Sequence, residues 1–299
     1  MPVPRLAAAL GPMLSAAVLL GLPACKADEP GPGGGPGRLA FVTTRNGQLD
    51  IYTMDASERN LRRVTTDLGA DHWPTWSPDT LKIAFQSDRG TAVFQIYVMN
   101  SDGSGVIPLT TDTTENIHPA WSPSGSQIAF SSARDGNHEI YVMDTSGTNQ
   151  ARRTTAAGAD AQPAWSPDGS KLAFVTERDG NSEIYVMNAS DGLGLVNLTN
   201  SSQTDWGPAW SPDGTKIAFF SNRAVDFAIW VMNADGTNPV RLTDGVVRAE
   251  LPSWSPDGTR IAYDKDGDIW VMNADGSGQV RIVGGFSADV APRWRPILP

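Results

Sequence analysis

Short apolar runs separated by polar turns recur along this chain, each too brief to form a helix. One set comprises Ile83-Ala84-Phe85, Ile128-Ala129-Phe130, Leu172-Ala173-Phe174, Ile217-Ala218-Phe219 and Ile261-Ala262-Tyr263. Each is followed by a turn and then by IYVM at 96–99, 140–143 and 184–187, or IWVM at 229–232 and 269–272. A further Asp-Gly or Ser-Gly turn leads to a run ending in Leu-Thr, as at Leu109-Thr110, Leu198-Thr199 and Leu242-Thr243. Runs this short, rich in β-branched and aromatic residues and bounded by glycine turns, predict strands.

Each unit begins with P-x-W-S-P-D-G, whole at 163–169, 208–214 and 252–258, altered at 74–80 and 119–125, and worn to PRWRP at 292–296. The tryptophans Trp76, Trp121, Trp165, Trp210, Trp254 and Trp294 lie 45, 44, 45, 44 and 40 residues apart. Four strands in about 44 residues is the unit of a β-propeller blade. The chain ends complete the count. Leu39-Ala40-Phe41, residues 51–54 and Arg63-Val64-Thr65 read as second, third and fourth strands lacking a first, and residues 290–296 supply a first strand with nothing after it. The prediction is an all-β fold, a six-bladed propeller of four-stranded antiparallel blades over residues 38–299, with both termini sharing one blade and no open edge left to pair elsewhere.

Residues 1–24 hold one basic residue, Arg5, and an apolar run broken by glycine and proline, which reads as a signal peptide. It ends in Leu22-Pro23-Ala24-Cys25, similar to a bacterial lipobox, with Cys25, the chain's single cysteine, as the lipidated residue. The other reading is an ordinary secretory peptide followed by a free thiol. Residues 25–37 are then the lipidated cysteine and a Gly/Pro-rich tether. All 33 acidic residues follow Cys25, as do 22 of the 23 basic ones, leaving an excess of eleven negative charges. That balance argues against nucleic acid and against direct adhesion to anionic lipid, so membrane contact is expected through the anchor alone. The chain is expected to be a monomer.

P-x-W-S-P-D-G, I-A-F, the turns Arg134-Asp135-Gly136 and Arg178-Asp179-Gly180, I-Y-V-M-N and the Asp-Gly…Leu-Thr tail at 235–243 together resemble the TolB-like propeller family, the PD40 or WD40-like repeats. The resemblance spans 38–299 and implies a binding propeller of the cell envelope that docks a Pal-like lipoprotein, another envelope protein, or peptidoglycan or another glycan. Where that family carries an α/β domain ahead of its propeller, this chain has the signal and tether.

Turn chemistry accounts for Ser-Pro-Asp-Gly. The tryptophans are expected to pack between blades, and Arg134 with Glu139, or Arg178 with Glu183, to pair across their hairpins. Binding candidates are the positions that vary on this scaffold. Five residues before each tryptophan stand Asp71, Asn116, Asp160, Asp205, Ala249 and Asp289, expected near the channel mouth, where the carboxylates either converge on a ligand or cap their own loops. Beside them lie His72, Trp73, His118, Gln162, Trp206 and Glu250. A Ca²⁺ ion in the channel is left open, and no other cofactor is implied.

No G-x-S-x-G or H-E-x-x-H motif is present. Asp264, Asp266 and Asp268 mimic a calcium loop but lack its distal glutamate, and a tight Asp-Gly turn is the better reading. The alternative to a docking protein is a carbohydrate-active propeller, a lyase, glycosidase or lectin, using channel carboxylates and histidines. A purely structural envelope protein is the third reading.

Overall fold

The computed structural model describes residues 38–55, 60–224, 226–244, 247–285 and 287–296, all within one compact unit, Gly33–Pro299. The segments expected to be a signal peptide, a lipidated Cys25 and a tether lie outside the described residues.

Among the described residues, twenty-four strands form six four-stranded antiparallel sheets. The innermost are β4 (Asp71–Trp76), β8 (Asn116–Trp121), β12 (Asp160–Trp165), β16 (Asp205–Trp210), β20 (Ala249–Trp254) and β24 (Asp289–Trp294). Second come β5 (Lys82–Ser87), β9 (Gln127–Ser132), β13 (Lys171–Thr176), β17 (Lys216–Ser221), β21 (Arg260–Lys265) and β1 (Arg38–Thr43). Third are β6 (Gln95–Asn100), β10 (Glu139–Asp144), β14 (Glu183–Asn188), β18 (Ala228–Asn233), β22 (Asp268–Asn273) and β2 (Asp50–Asp55). The outermost, β7 (Ile107–Pro108), β11 (Ala151–Arg152), β15 (Val196–Asn197), β19 (Val240–Arg241), β23 (Val280–Val283) and β3 (Arg62–Arg63), are short, which limits the open edge each blade presents. Blades 1 to 5 begin at β4, β8, β12, β16 and β20. In blade 6, β24 pairs with β1, so the two ends of the chain close the ring in one sheet as expected.

The I-A-F run has a packing reason. Ile83 and Phe85 point to one face of their blade, where they join Ala40, Val42 and Ile51 of blade 6 in one cluster. Ala84 points to the other face and meets Ile128 and Phe130 of blade 2. Large residues of one blade thus fill the space left by the small residue of the next, and six clusters built this way join the ring.

The Leu-Thr tail also has a cause. Thr65, Thr110, Thr154, Thr199 and Thr243 accept, through Oγ1, the backbone N–H of Ile51, Ile96, Ile140, Ile184 and Ile229 at 2.8–3.0 Å. A side chain thereby takes over from the ladder and ends the outer strand. In blade 5 the position is Val283, which has no hydroxyl, and there the ladder itself continues, Ile269 pairing with Val283. Between β21 and β22, Asp266 and Gly267 both have positive φ, 55° and 78°, the two-residue turn that favours Asp-Gly.

The tryptophans sit between blades. Trp165, Trp210 and Trp254 donate Nε1–H to Ala120, Ala164 and Ala209 of the preceding inner strand at 3.1–3.2 Å. Trp121 has no such partner. Trp165→Phe is therefore expected to lower stability by about 1 kcal/mol more than Trp121→Phe, measured by urea unfolding; equal losses would show that the indole bond contributes nothing.

Candidate functional site

The proline of P-x-W builds the channel wall. Pro74, Pro119, Pro163, Pro208, Pro252 and Pro292 have no N–H to give the ladder, and each inner strand loses register there. In blade 1, His72 pairs with Gln86, but the next paired residue is Thr75, opposite Ala84. The residue before each proline adopts a left-handed backbone: Trp73 (φ 51°), His118 (56°), Gln162 (54°), Gly207 (65°), Leu251 (53°) and Ala291 (53°). Glutamines hold two of these bulges from the preceding blade, Gln86 accepting the N–H of His118 at 2.8 Å and Gln162 that of Gly207 at 2.9 Å.

The result is a central cavity of about 330 Å³ walled by Pro119, Pro163, Pro208 and Pro252 and by Trp121, Trp165, Trp210 and Trp254. Into it come Trp73, His118 and Gln162, together with the residue just before each tryptophan, among them Thr75, Ser253 and Arg293. His118 stands edge-on to Trp73 with ring centres 4.5 Å apart, and the Arg293 guanidinium lies over the Trp73 ring at 5.5 Å. Burial lowers the His118 pKa to about 3, so its ring is neutral at physiological pH, and burial lowers Arg293 to about 10, still charged. Gly207 is steric: a Cβ there would stand 2.6 Å from the Phe220 ring.

The carboxylates do not converge on this channel. Asp71, Asp160, Asp205 and Asp289 have no exposed surface, nor does Asn116. Each turns into its own blade and meets an arginine: Asp71 with Arg89 at 2.7 Å, Asp160 with Arg178 at 3.1 Å, Asp205 with Arg223 at 2.8 Å, Asp289 with Arg45 at 2.9 Å, and Asn116 with Arg134 at 3.0 Å. Each arginine also lies over the blade's aromatic residues, as Arg178 over Phe174 and Tyr185 at 5.5 and 4.9 Å. Capping of loop N–H groups is thus not their main role. The hairpin pairs expected of Arg134 and Arg178 are absent too, Glu139 pairing instead with Arg152 at 2.6 Å and Glu183 accepting from Ser201 N–H at 2.6 Å. Blade 5 confirms the logic. It has Ala249 for the acid, and Gly267 stands where the arginine would be. Among the described residues no cluster of His, Cys, Asp and Glu gathers as metal ligands, and these carboxylates are not available to a channel Ca²⁺.

Three further candidates also lie off the channel. His72 packs edge-on against Phe94 at 5.5 Å, and burial lowers its pKa to about 4. Trp206 stacks on Phe227 and meets Phe220 edge-on, packed against the cluster joining blades 4 and 5. Glu250 is held by Arg248 at 2.6 Å and faces Asp264 across the ladder. Of the sequence-derived set, Trp73, His118 and Gln162 are brought together. Arg293 was missed, although its position holds Thr75, Ala120, Ala164, Ala209 and Ser253 in the other blades.

The sequence pattern of the PD40 family, the TolB β-propeller domain, matches residues 29–119 and 112–267. The chain belongs to the TolB β-propeller family. Its structure is similar to TolB from Acinetobacter baumannii, at 25% identity and TM-score 0.78, covering 87% of this chain and 67% of that one. A putative TolB from Agrobacterium tumefaciens, 22% identical with TM-score 0.69, covers 89% of this chain and 100% of its own length. The tricorn protease shares the fold at 17% identity and TM-score 0.66, over 83% of this chain and 26% of that one. No curated protein sequence matches the chain. What distinguishes the blades of this TolB-type propeller from one another is the position before each inner-strand proline, where six-fold repetition gives way to six different residues.

Proposed function

We propose that this chain is a non-catalytic binding propeller of the bacterial cell envelope, tethered through Cys25, that docks another envelope protein at its central channel. The observation that carries the reading is the left-handed position of each inner strand. Glycine would occupy all six without strain, yet five carry side chains, at about 1 kcal/mol each. Strain kept at one ring of positions, with Trp73, His118 and Gln162 directed into one cavity, supports recognition there. Membership of the TolB β-propeller family supports protein binding in the envelope over catalysis. A glycosidase mechanism needs two carboxyl groups flanking the bond it breaks, and the described channel lining includes neither Asp nor Glu.

The test is photo-crosslinking in the native host, with a benzophenone amino acid placed at Trp73 or Gln162, and at Val280 on the exposed outer strand as the control. Adducts to a protein from 73 or 162, and none from 280, are expected. Silent channel positions, or adducts confined to 280, would sink the reading; glycan adducts alone would replace the protein partner with a cell-wall component.

A further inference from the structure

The described channel lining contains one formal charge, and it is positive. Arg293 occupies a position that is small and uncharged in the other five blades. The arginines of the blade interiors meet a buried Asp or Asn within 3.1 Å, but Arg293 has no ion-pair partner among the described residues. Its contacts are a hydrogen bond from Nη1 to the Pro292 carbonyl at 3.0 Å and the face of Trp73. A guanidinium carries five N–H donors, so most of this one's capacity is unspent. A cation held part-buried without a counter-charge is unfavourable, and nothing in the packing of the ring demands it, since alanine serves at three of the equivalent positions.

We propose that Arg293 makes the channel a receptor for a single carboxylate group, presented by a slender and otherwise uncharged ligand. The neighbouring groups fit that chemistry. Gln162 spends its Oε1 on the Gly207 N–H, which leaves its amide NH₂ to donate. Ser253 accepts the Trp294 N–H at 3.2 Å, which leaves its hydroxyl proton to donate. His118 is neutral and adds no second positive charge. One cation with neutral donors matches a monoanion, and the planar guanidinium matches the two oxygens of a carboxylate. A phosphate monoester, closer to a dianion, would enter against a chain of net charge −10 with one cation to receive it. The tryptophan and proline walls, enclosing about 330 Å³, suit an apolar or peptide-like body behind the carboxylate. The carboxylate can come from a free small acid or from the C-terminus of a polypeptide; the second case rests on the docking function proposed above.

The experiment follows the Arg293 side-chain N–H resonances of the full chain by NMR while two probes are titrated, benzoate beside benzamide, and N-acetyl-pentaalanine with a free C-terminus beside its C-terminal amide. Saturable shifts with a carboxylate and not with its amide partner are expected, and Arg293→Gln, followed through the Trp73 indole resonance, should weaken binding about 30-fold. Arg293→Gln should also leave thermal stability unchanged or raised, because it removes an uncompensated cation, so loss of binding will not reflect unfolding. Response to benzoate alone assigns a free small acid; response to the peptide, with or without benzoate, assigns a polypeptide terminus. Binding that survives Arg293→Gln, equal binding of acid and amide, or silence of both pairs overturns the proposal. Partner adducts from position 73 that persist in Arg293→Gln would leave docking standing while removing the carboxylate from it.

Discussion

Asp205→Ala is expected to lower the unfolding free energy by about 3 kcal/mol, because it leaves the Arg223 guanidinium mostly buried without its acid. The pair is two-pronged, Arg223 Nε to Oδ1 at 3.1 Å and Nη2 to Oδ2 at 2.8 Å, with Asp205 fully buried and the arginine side chain 16% exposed. Burial nevertheless raises the Asp205 pKa above its ordinary value, so the arginine does not fully offset the cost of taking the carboxylate out of water. Such a pair stabilises little relative to an apolar one but is costly to break singly. The other blades supply the controls. Asp205→Asn, which reproduces Asn116 with Arg134, should cost about 1 kcal/mol. Asp205→Ala combined with Arg223→Met keeps an unbranched side chain over Phe219 and Trp230 and should recover most of the loss, as the blade with Ala249 and Gly267 does without either charge. Urea unfolding of the three variants decides: if the double variant is no more stable than Asp205→Ala, the two residues are not coupled and the Asp–Arg account of the blade is wrong. Melting temperature should fall by about 6 °C in the single alanine variant.

The repeat made the fold legible. Blade number, strand order and the shared closing blade all follow from counting copies of one motif, because a propeller repeats its interface as well as its sequence. The channel was legible in part. Trp73, His118 and Gln162 stood out because they differ among blades, which is what a site on a repeated scaffold does. The aspartates were misplaced for a geometric reason. Simple strand alternation puts Asp71, Trp73 and Thr75 on one face, but the left-handed residue before Pro74 breaks the alternation, sending Trp73 and Thr75 to the channel and leaving Asp71 inside the blade. In four blades the pairing itself was written in the sequence as an acid or Asn eighteen residues before an arginine; ring closure separates Asp289 from Arg45 in sequence, and the blade with Ala249 and Gly267 lacks both partners. Arg293 escaped because PRWRP reads as a degenerate copy of the turn motif, and its first arginine matters for where the strand puts it.

Asp264→Asn is expected to stabilise the protein increasingly as pH rises from about 4 to about 7, with a gain on the order of 3 kcal/mol above that range. Asp264 is 9% exposed and lies opposite Glu250 in the β20–β21 ladder, with Arg248 held by Glu250 rather than by Asp264. Burial, then the Glu250 charge, pushes the Asp264 pKa up to about 7, against a hydrogen bond from Gly267 N–H at 3.1 Å that favours the ionised form. The sign follows from proton counting. Between the unfolded value near 4 and the folded value near 7 the folded state binds the proton and the unfolded state does not, so the wild-type contribution of this group falls as pH rises through that window and is level above it. Asparagine keeps the oxygen that accepts from Gly267 and never ionises, so the variant escapes the loss. His72 and His118 act in the opposite direction, since burial keeps both neutral in the folded state and stability falls as pH drops below the ordinary histidine value. Both chains share that term, and it cancels in the difference. Paired urea titrations of wild type and variant at pH 5 and pH 8 give the result: a difference that does not grow between them would mean that Glu250, whose own pKa burial also raises, holds the proton instead of Asp264.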